Sequence, residues 1–196
     1  ALDITDPDRP QHLFTINNDT SNKVVEYWNA AGTKSTIDYG VNCPNFDYSK
    51  LGGAWSRPVI MLLPYSVGST SQRWVAVFGG GFAGGASTTG SAPTSSYGSY
   101  VYALELEPDS SKSTSGCGAT GLSAIGSTGG HVLAVKPVAS DISSDIPNGV
   151  TADLTVITGD GSSLLNSYGG ITYFTDLQGK LWKMDLSKQN LGDSNA

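Results

Sequence analysis

Between Ser56 and Pro108 the chain sets three short apolar runs in succession, and each is stopped by turn-forming residues. The first is Arg57-Pro-Val-Ile-Met-Leu-Leu63. The second, Arg73-Trp-Val-Ala-Val-Phe78, runs into Gly79-Gly-Gly81. The third, Tyr100-Val-Tyr-Ala-Leu-Glu-Leu-Glu107, is closed by Pro108. Runs of this length, rich in β-branched and aromatic residues and bounded by Gly, Pro and Ser, predict a small antiparallel meander. A meander alone cannot bury both of its faces, so the rest of the chain must supply partners of the same kind.

Those partners are visible as internal similarity. Ala1-Leu-Asp-Ile-Thr-Asp-Pro7 aligns with Ala103-Leu-Glu-Leu-Glu-Pro108 apart from one extra residue, and Leu181-Trp-Lys-Met-Asp-Leu186 repeats the same alternation. Recurrence around positions 1, 103 and 183 gives spacings of roughly 80 to 100 residues, against about 40 to 50 for an ordinary propeller blade, so long insertions must decorate each unit. The expectation is an all-β chain forming part of a β-propeller, with quinoprotein-like blades of antiparallel meanders and long loop insertions. In chain order, 1–16 read as the end of a truncated blade, with a turn at Asp6–Pro10. Residues 17–54 read as a polar insertion in which Val24–Trp28 is a strand. Residues 55–130 read as a blade with loops, and 131–196 as a further, incomplete blade containing strands at Asp153–Thr158, Gly170–Thr175 and Lys180–Leu186. Gly84–Ser99 and 109–130 read as Gly/Ser/Thr surface loops. The chain starts within a strand motif and lacks an initiator Met, so it is expected to be a piece of a longer protein.

With 196 residues the chain can bury one sizeable core or two small ones. Its 25 glycines and its low charged fraction of 14% suit turn-rich β-structure rather than charged disorder. A formal net charge of −6 with Lys and Arg scattered singly argues against nucleic-acid binding, and no apolar run approaches a membrane span. Cys43 and Cys117 both lie in loop sequence. They suit either a disulfide in an oxidising compartment or two unrelated thiols, and spacing does not choose between these.

Few residues carry visible chemistry. Gly79-x-Gly81-x-x-Gly84 follows a strand and has Glu105 downstream, as in a dinucleotide fingerprint, but no helix opens after Gly84 to meet a pyrophosphate. The glycines read as a tight turn leaving the strand. No Gly-x-Ser-x-Gly elbow and no phosphate loop is present. His12 and His131 begin strands without ligand-spaced neighbours and are expected at the surface or half-buried. The carboxylates are expected to face solvent or cap turns, with no acid–base pair among them. Asp141, Asp145, Asn148 and Asp153 are the one oxygen-rich constellation, an acidic turn that could offer Ca²⁺ several ligands but lacks the alternate spacing of a calcium loop. No catalytic, cofactor-binding or metal residue is therefore assigned, calcium being left as a possibility, and the chain is expected not to be an enzyme.

Five segments in order carry a resemblance. They are Ala1-Leu-Asp-Ile-Thr-Asp-Pro-x-x-Pro10, Leu51-Gly-x-x-Trp-Ser-Arg-Pro-Val-Ile60, Trp74-Val-Ala-Val-Phe-Gly-Gly-Gly-Phe82, Tyr100-Val-Tyr-Ala-Leu-Glu-Leu106 and Asp176-Leu-Gln-Gly-Lys-Leu-Trp-Lys-Met-Asp-Leu186. Together the order resembles the C-terminal propeller of the PilY/PilC-type proteins of bacterial type IV pili. That resemblance implies an extracellular protein at the pilus tip, reached through the periplasm, which supports pilus assembly and adhesion to surfaces or host cells. Minor pilins or other tip subunits would be its partners, and its working surface would be the loops Asn17–Ala54 and Gly84–Ser99. Family members often carry a loop of alternating aspartates for Ca²⁺ ahead of the closing Asp-Leu-x-Gly element, and 141–153 departs from that alternation. The alternative is part of a quinoprotein-type dehydrogenase propeller, which would need a charged, convergent pocket that the sequence does not display.

Overall fold

Among the described residues, strands follow one another with almost no helix between them. The computed structural model describes residues 1–53, 55–65, 71–82, 97–112, 114, 117, 122, 125–138, 149–158, 169–177 and 179–186. The expected loop 84–99 lies mostly outside these, as do Asp141, Asp145 and Asn148 of the acidic turn. Among the described residues the only helical element is a 3₁₀ turn at Pro44–Phe46.

Among the described residues the strands form four sheets, each built from sequence neighbours. Strands β1 (Leu2–Asp3) and β2 (Gln11–His12) make a short hairpin, with Leu2 opposite His12. Strands β3 (Thr15–Asp19), β4 (Val24–Trp28) and β5 (Lys34–Asp38) make a three-stranded antiparallel meander. Strands β6 (Val59–Pro64), β7 (Gln72–Gly79), β8 (Tyr100–Glu105) and β9 (His131–Pro137) form a four-stranded sheet in that order. Strands β10 (Thr155–Thr158), β11 (Gly170–Thr175) and β12 (Leu181–Asp185) form a second three-stranded antiparallel meander. The protein is thus all-β, with up-and-down connections inside each sheet.

Two compact units share these sheets. One comprises 1–49 with 104–132, and the other 50–103 with 133–196, so the chain leaves the second unit along β8 and re-enters it along β9. In the second unit, alternation decides what is buried. Met61 and Leu63 on β6 and Val75 and Val77 on β7 are at most 1% exposed, whereas Ile60 and Trp74 on the opposite face are 37% and 38% exposed. With Val101 and Ala103 of β8 this inward face packs on Phe174 of β11, Met184 of β12 and Leu186, and Val138, Val150 and Leu154 complete the core.

The first unit has an aromatic core instead. Phe14 stacks on Tyr27 at 6.3 Å between ring centroids, and Phe46 meets Tyr27 edge-on at 5.8 Å. The hydroxyls of Tyr27 and Tyr48 are satisfied by the carbonyls of Gly129 and Gly130 at 3.0 and 2.7 Å. Within 17–54, read as an insertion with one strand, β4 is that strand, but β3 and β5 flank it. Their loop-like composition reflects a polar outer face. On β5, Lys34, Thr36 and Asp38 point outward while Ser35 and Ile37 are buried. Outward Asn17, Glu26 and Lys34 form a hydrogen-bonded ladder in which Asn17 Nδ2 and Lys34 Nζ both donate to the Glu26 carboxylate.

Candidate functional site

The glycines that mimic a nucleotide fingerprint sit where backbones cross within the second unit. Gly80 N–H donates to the Tyr100 carbonyl at 2.6 Å, and Gly81 N–H to the Val150 carbonyl at 3.0 Å. Gly52 and Gly53 donate to the Gly80 and Phe82 carbonyls, each at 2.8 Å. A Cβ at Gly79 would lie 2.2 Å from the Val150 oxygen, one at Gly80 2.8 Å from the Tyr100 oxygen, and one at Gly149 2.6 Å from the Gly81 oxygen. Gly81 also has φ +89°, which only glycine adopts at ease. Gly79 and Gly81 therefore serve close main-chain packing, the Gly79 N–H donating to the Ser56 hydroxyl at 3.2 Å and the Gly81 N–H to a protein carbonyl. Gly84 lies outside the described residues.

The closing Asp176-Leu-x-Gly-x-Leu-Trp182 element is a hairpin fastened by its own side chains. Asp176 Oδ1 accepts from the Lys180 N–H at 3.0 Å, and Oδ2 from the Trp182 indole Nε1–H at 2.7 Å. Gly179 takes the positive φ (+77°) at the turn, and its N–H returns to the Asp176 carbonyl at 3.0 Å. One buried carboxylate thus fixes both the turn and the rotamer of the tryptophan on the next strand.

Asp153, the described member of the acidic turn, is occupied by protein. Arg57 donates to it from its backbone N–H (2.9 Å), Nε (2.8 Å) and Nη2 (2.6 Å). The hydrogen bonds from Arg57, more than its charge, hold the Asp153 carboxyl below its ordinary value. Five other carboxylates cap turns: Asp3, Asp6, Asp19, Asp47 and Asp109 each accept from the N–H two residues on.

Two sequence expectations fail in the first unit. Glu105 was expected to face solvent and is fully buried, with its Oε2 3.8 Å from Lys112 Nζ. Lys112 also lies 3.6 Å from Asp109 Oδ2. His131 was expected at the surface or half-buried and is fully buried, its ring 5.2 Å from that of Phe46. The reason is shared: both residues lie where β8 and β9 run into the aromatic core, which excludes water from whatever the strand pleat turns inward. His12 is half-buried and bonds Thr15 Oγ1 at 2.9 Å.

Cys43 and Cys117, 74 residues apart, are joined in a disulfide. The bridge anchors the turn that follows β5, and beside it opens a cleft of about 330 Å³. Val25, Ile37, Cys43 and Phe46 form its floor, and Asp38, Tyr39, Asn42, Asp47 and Ser49 stand around it. All of these lie within the stretch Asn17–Ala54 that the sequence offers as a working surface, though only Cys43 stands out in it individually. The signal that could have found them is the run Asp38-Tyr-Gly-Val-Asn-Cys-Pro-Asn45, a polar turn tied down by a bridge. Among the described residues no three His, Cys, Asp or Glu side chains gather as metal ligands, and no helix is long and apolar enough to cross a membrane. Comparison with known protein families, curated proteins and solved structures found no match for this chain.

Proposed function

We propose that the chain is part of the β-propeller of a PilY/PilC-type protein, a non-enzymatic module at the tip of a type IV pilus that supports pilus assembly and adhesion. The observation that carries this reading is where the family-like segments fall. Each lies on or beside a strand of an up-and-down sheet, and the last is the hairpin in which Asp176 binds the Trp182 indole. The disulfide supports passage through an oxidising compartment, where such bridges form and persist. The quinoprotein alternative needs a charged pocket convergent on a cofactor. Among the described residues Arg57 with Asp153, Lys34 with Glu26, and Lys112 with Glu105 and Asp109 lie against one another instead.

Working contact surfaces on this reading are the outward polar face of β3–β5 and the turn after β5, where rigid strands display adaptable polar side chains. The test is immunogold labelling of intact cells of the source organism with antibody raised against this chain. Gold at pilus ends is the expected result. Label confined to the periplasm, with none on pili, overturns the proposal and favours the quinoprotein reading, which is then checked by dehydrogenase assay with pyrroloquinoline quinone and Ca²⁺.

A further inference from the structure

We infer that the free edge of β6 pairs with β6 of a second copy of this chain, antiparallel about a two-fold axis, so that two four-stranded sheets join into one. The inference rests on this sheet alone and does not depend on the pilus assignment.

Strand β6 lies at the edge of its sheet, with β7 on one side. The bond from the Tyr65 N–H to the Ser71 carbonyl at 3.1 Å fixes which main-chain groups that pairing uses. Hydrogen-bonded pairs alternate with non-bonded ones along an antiparallel ladder, so Leu63, Met61 and Val59 bond to Arg73, Val75 and Val77. The N–H and C=O groups of Ile60 and Leu62 therefore point away from β7, and among the described residues no backbone group bonds to them. Pro64, the next outward position, and Pro58, the one just before the strand, have no N–H.

Two features mark this edge as one made for pairing. Open edges in folded proteins are guarded by charge, lysine above all. Asp19 on β3, Lys34 and Asp38 on β5, Lys136 on β9, and Lys183 and Asp185 on β12 guard the other edges of comparable length. Strand β6, Val-Ile-Met-Leu-Leu-Pro, has six residues and no charge. The face beside the edge is also apolar and accessible. Ile60 and Trp74 are exposed on it, and half-buried Leu62 stands opposite Trp74.

The pattern of donors selects a second copy as the occupant. Two β6 strands set antiparallel with Met61 opposite Met61 bring Ile60 against Leu62 of the other copy and Leu62 against its Ile60. Every outward N–H and C=O of these two residues is then bonded. The same register sets Pro58 against Pro64, so the ladder stops where neither strand has a donor to lose. A charge at the centre would meet itself across the axis, as Lys183 would at the middle of β12. In β6 the side chains of Ile60 and Leu62 from both copies, flanked by Trp74, instead form one apolar patch across the seam. A contact of one short strand falls below the roughly 1,200 Å² of a standard interface, so the dimer is a reversible one.

The test is sedimentation equilibrium of the whole chain from about 1 μM to about 1 mM, with amide exchange of the ¹⁵N-labelled chain read by NMR over the same range. A monomer–dimer equilibrium is expected, in which the Ile60 and Leu62 amides gain protection as the dimer forms. The Met61 and Leu63 amides, already bonded to β7, should change little. Salt should favour the dimer, because each copy carries a net charge of −6. Ile60→Lys, at an exposed position, should weaken dimerisation about tenfold or more while protection at Val75 and Val77 stays in place. A chain that is monomeric throughout this range overturns the inference. So does a dimer whose Ile60 and Leu62 amides exchange as in the monomer, growth into open-ended oligomers, or undiminished dimerisation of Ile60→Lys. Protection of those two amides only on addition of acetyl-Lys-Thr-Val-Thr-Val-Thr-Lys-amide, an unrelated extended strand, overturns the second copy as occupant and gives the edge to a foreign strand.

Discussion

Replacing both cysteines with alanine should loosen one unit of the chain and spare the other. The Cys43–Cys117 bridge closes a loop across 74 residues. In the chain-entropy treatment, closing a loop of that size removes about 15 cal/mol/K from the unfolded ensemble, or about 4.4 kcal/mol at room temperature. Cys43 is 5% exposed, so alanine rather than serine avoids burying a new hydroxyl. Both cysteines belong to the unit made of 1–49 and 104–132. The cost should therefore appear in amide hydrogen exchange at Val25, Tyr27 and Ile37, whose opening constants should rise about a thousand-fold at 1.4 kcal/mol per decade. Amides of β6, β7, β11 and β12, in the other unit, should change by less than about tenfold. Mass-spectrometric or NMR exchange on oxidised wild type and on Cys43→Ala/Cys117→Ala reads both regions in one experiment. Equal loss of protection in both units, or less than a tenfold change at Tyr27, would refute the reasoning.

Three further outcomes follow from the site geometry. Asp176→Ala should cost about 2 to 3 kcal/mol, because it removes two hydrogen bonds to a charged acceptor, whereas Trp182→Phe should show a smaller loss and leave the turn bond from Lys180 intact; urea denaturation of each variant separates the two. Gly79→Ala should destabilise by about 1 to 3 kcal/mol, because its Cβ would fall 2.2 Å from the Val150 oxygen. Gly40→Ala, with open space around the same atom, should leave the melting temperature nearly unchanged. Asp3, Asp19, Glu26, Asp109 and Asp153 all have carboxyls held below their ordinary values, chiefly by hydrogen bonds from Thr5, Asn22, Lys34, Ser111 and Arg57 in turn. Groups depressed in the folded state add stability above their unfolded values and lose it as pH falls, so the urea midpoint should drop progressively below about pH 4.5. Arg57→Gln should raise the titration midpoint of Asp153, seen by NMR of its carboxyl carbon.

The strands that the sequence announces are those whose alternation is written in strong β-formers. Val24–Trp28, the three runs between Arg57 and Glu107, His131–Pro137 and the Gly170–Leu186 hairpin each carry enough Val, Ile, Leu and aromatic residues to outweigh their turns. Strands β3 and β5 do not, since Thr15-Ile-Asn-Asn-Asp19 and Lys34-Ser-Thr-Ile-Asp38 hold one apolar residue each and owe their conformation to pairing with β4. Gly79 to Gly81 read from the sequence as a tight turn leaving the strand; their close main-chain packing was not legible, because it depends on Tyr100 and Val150, which lie far along the chain. Burial of Glu105 and His131 was not, because it depends on where the strands meet a core assembled from distant segments. Whether Cys43 meets Cys117 is a question of the same kind, since proximity in space leaves no trace in spacing along the chain. The cleft beside the disulfide was not legible for a simpler reason: Asp38, Asn42 and Asp47 have the composition of any polar turn, and only the fold gathers them around one cleft.

The interleaving of the two units imposes an order on the folding of a chain that emerges from its N-terminus. Residues 1–49 cannot complete their unit until 104–132 have followed, although 50–103 come out in between. During that interval β3, β4 and β5 hold a provisional meander, with Phe14, Tyr27 and Tyr48 waiting for the backbone of Gly129 and Gly130. Cys43 waits as well, with 73 residues to pass before its partner arrives. The second unit is divided in the same manner around 104–132, so neither can be finished before the other has been entered. The first unit can close once 132 has emerged and the second only after it, and until then the half-made state exposes open strand edges and an accessible thiol, the species that a folding catalyst would meet.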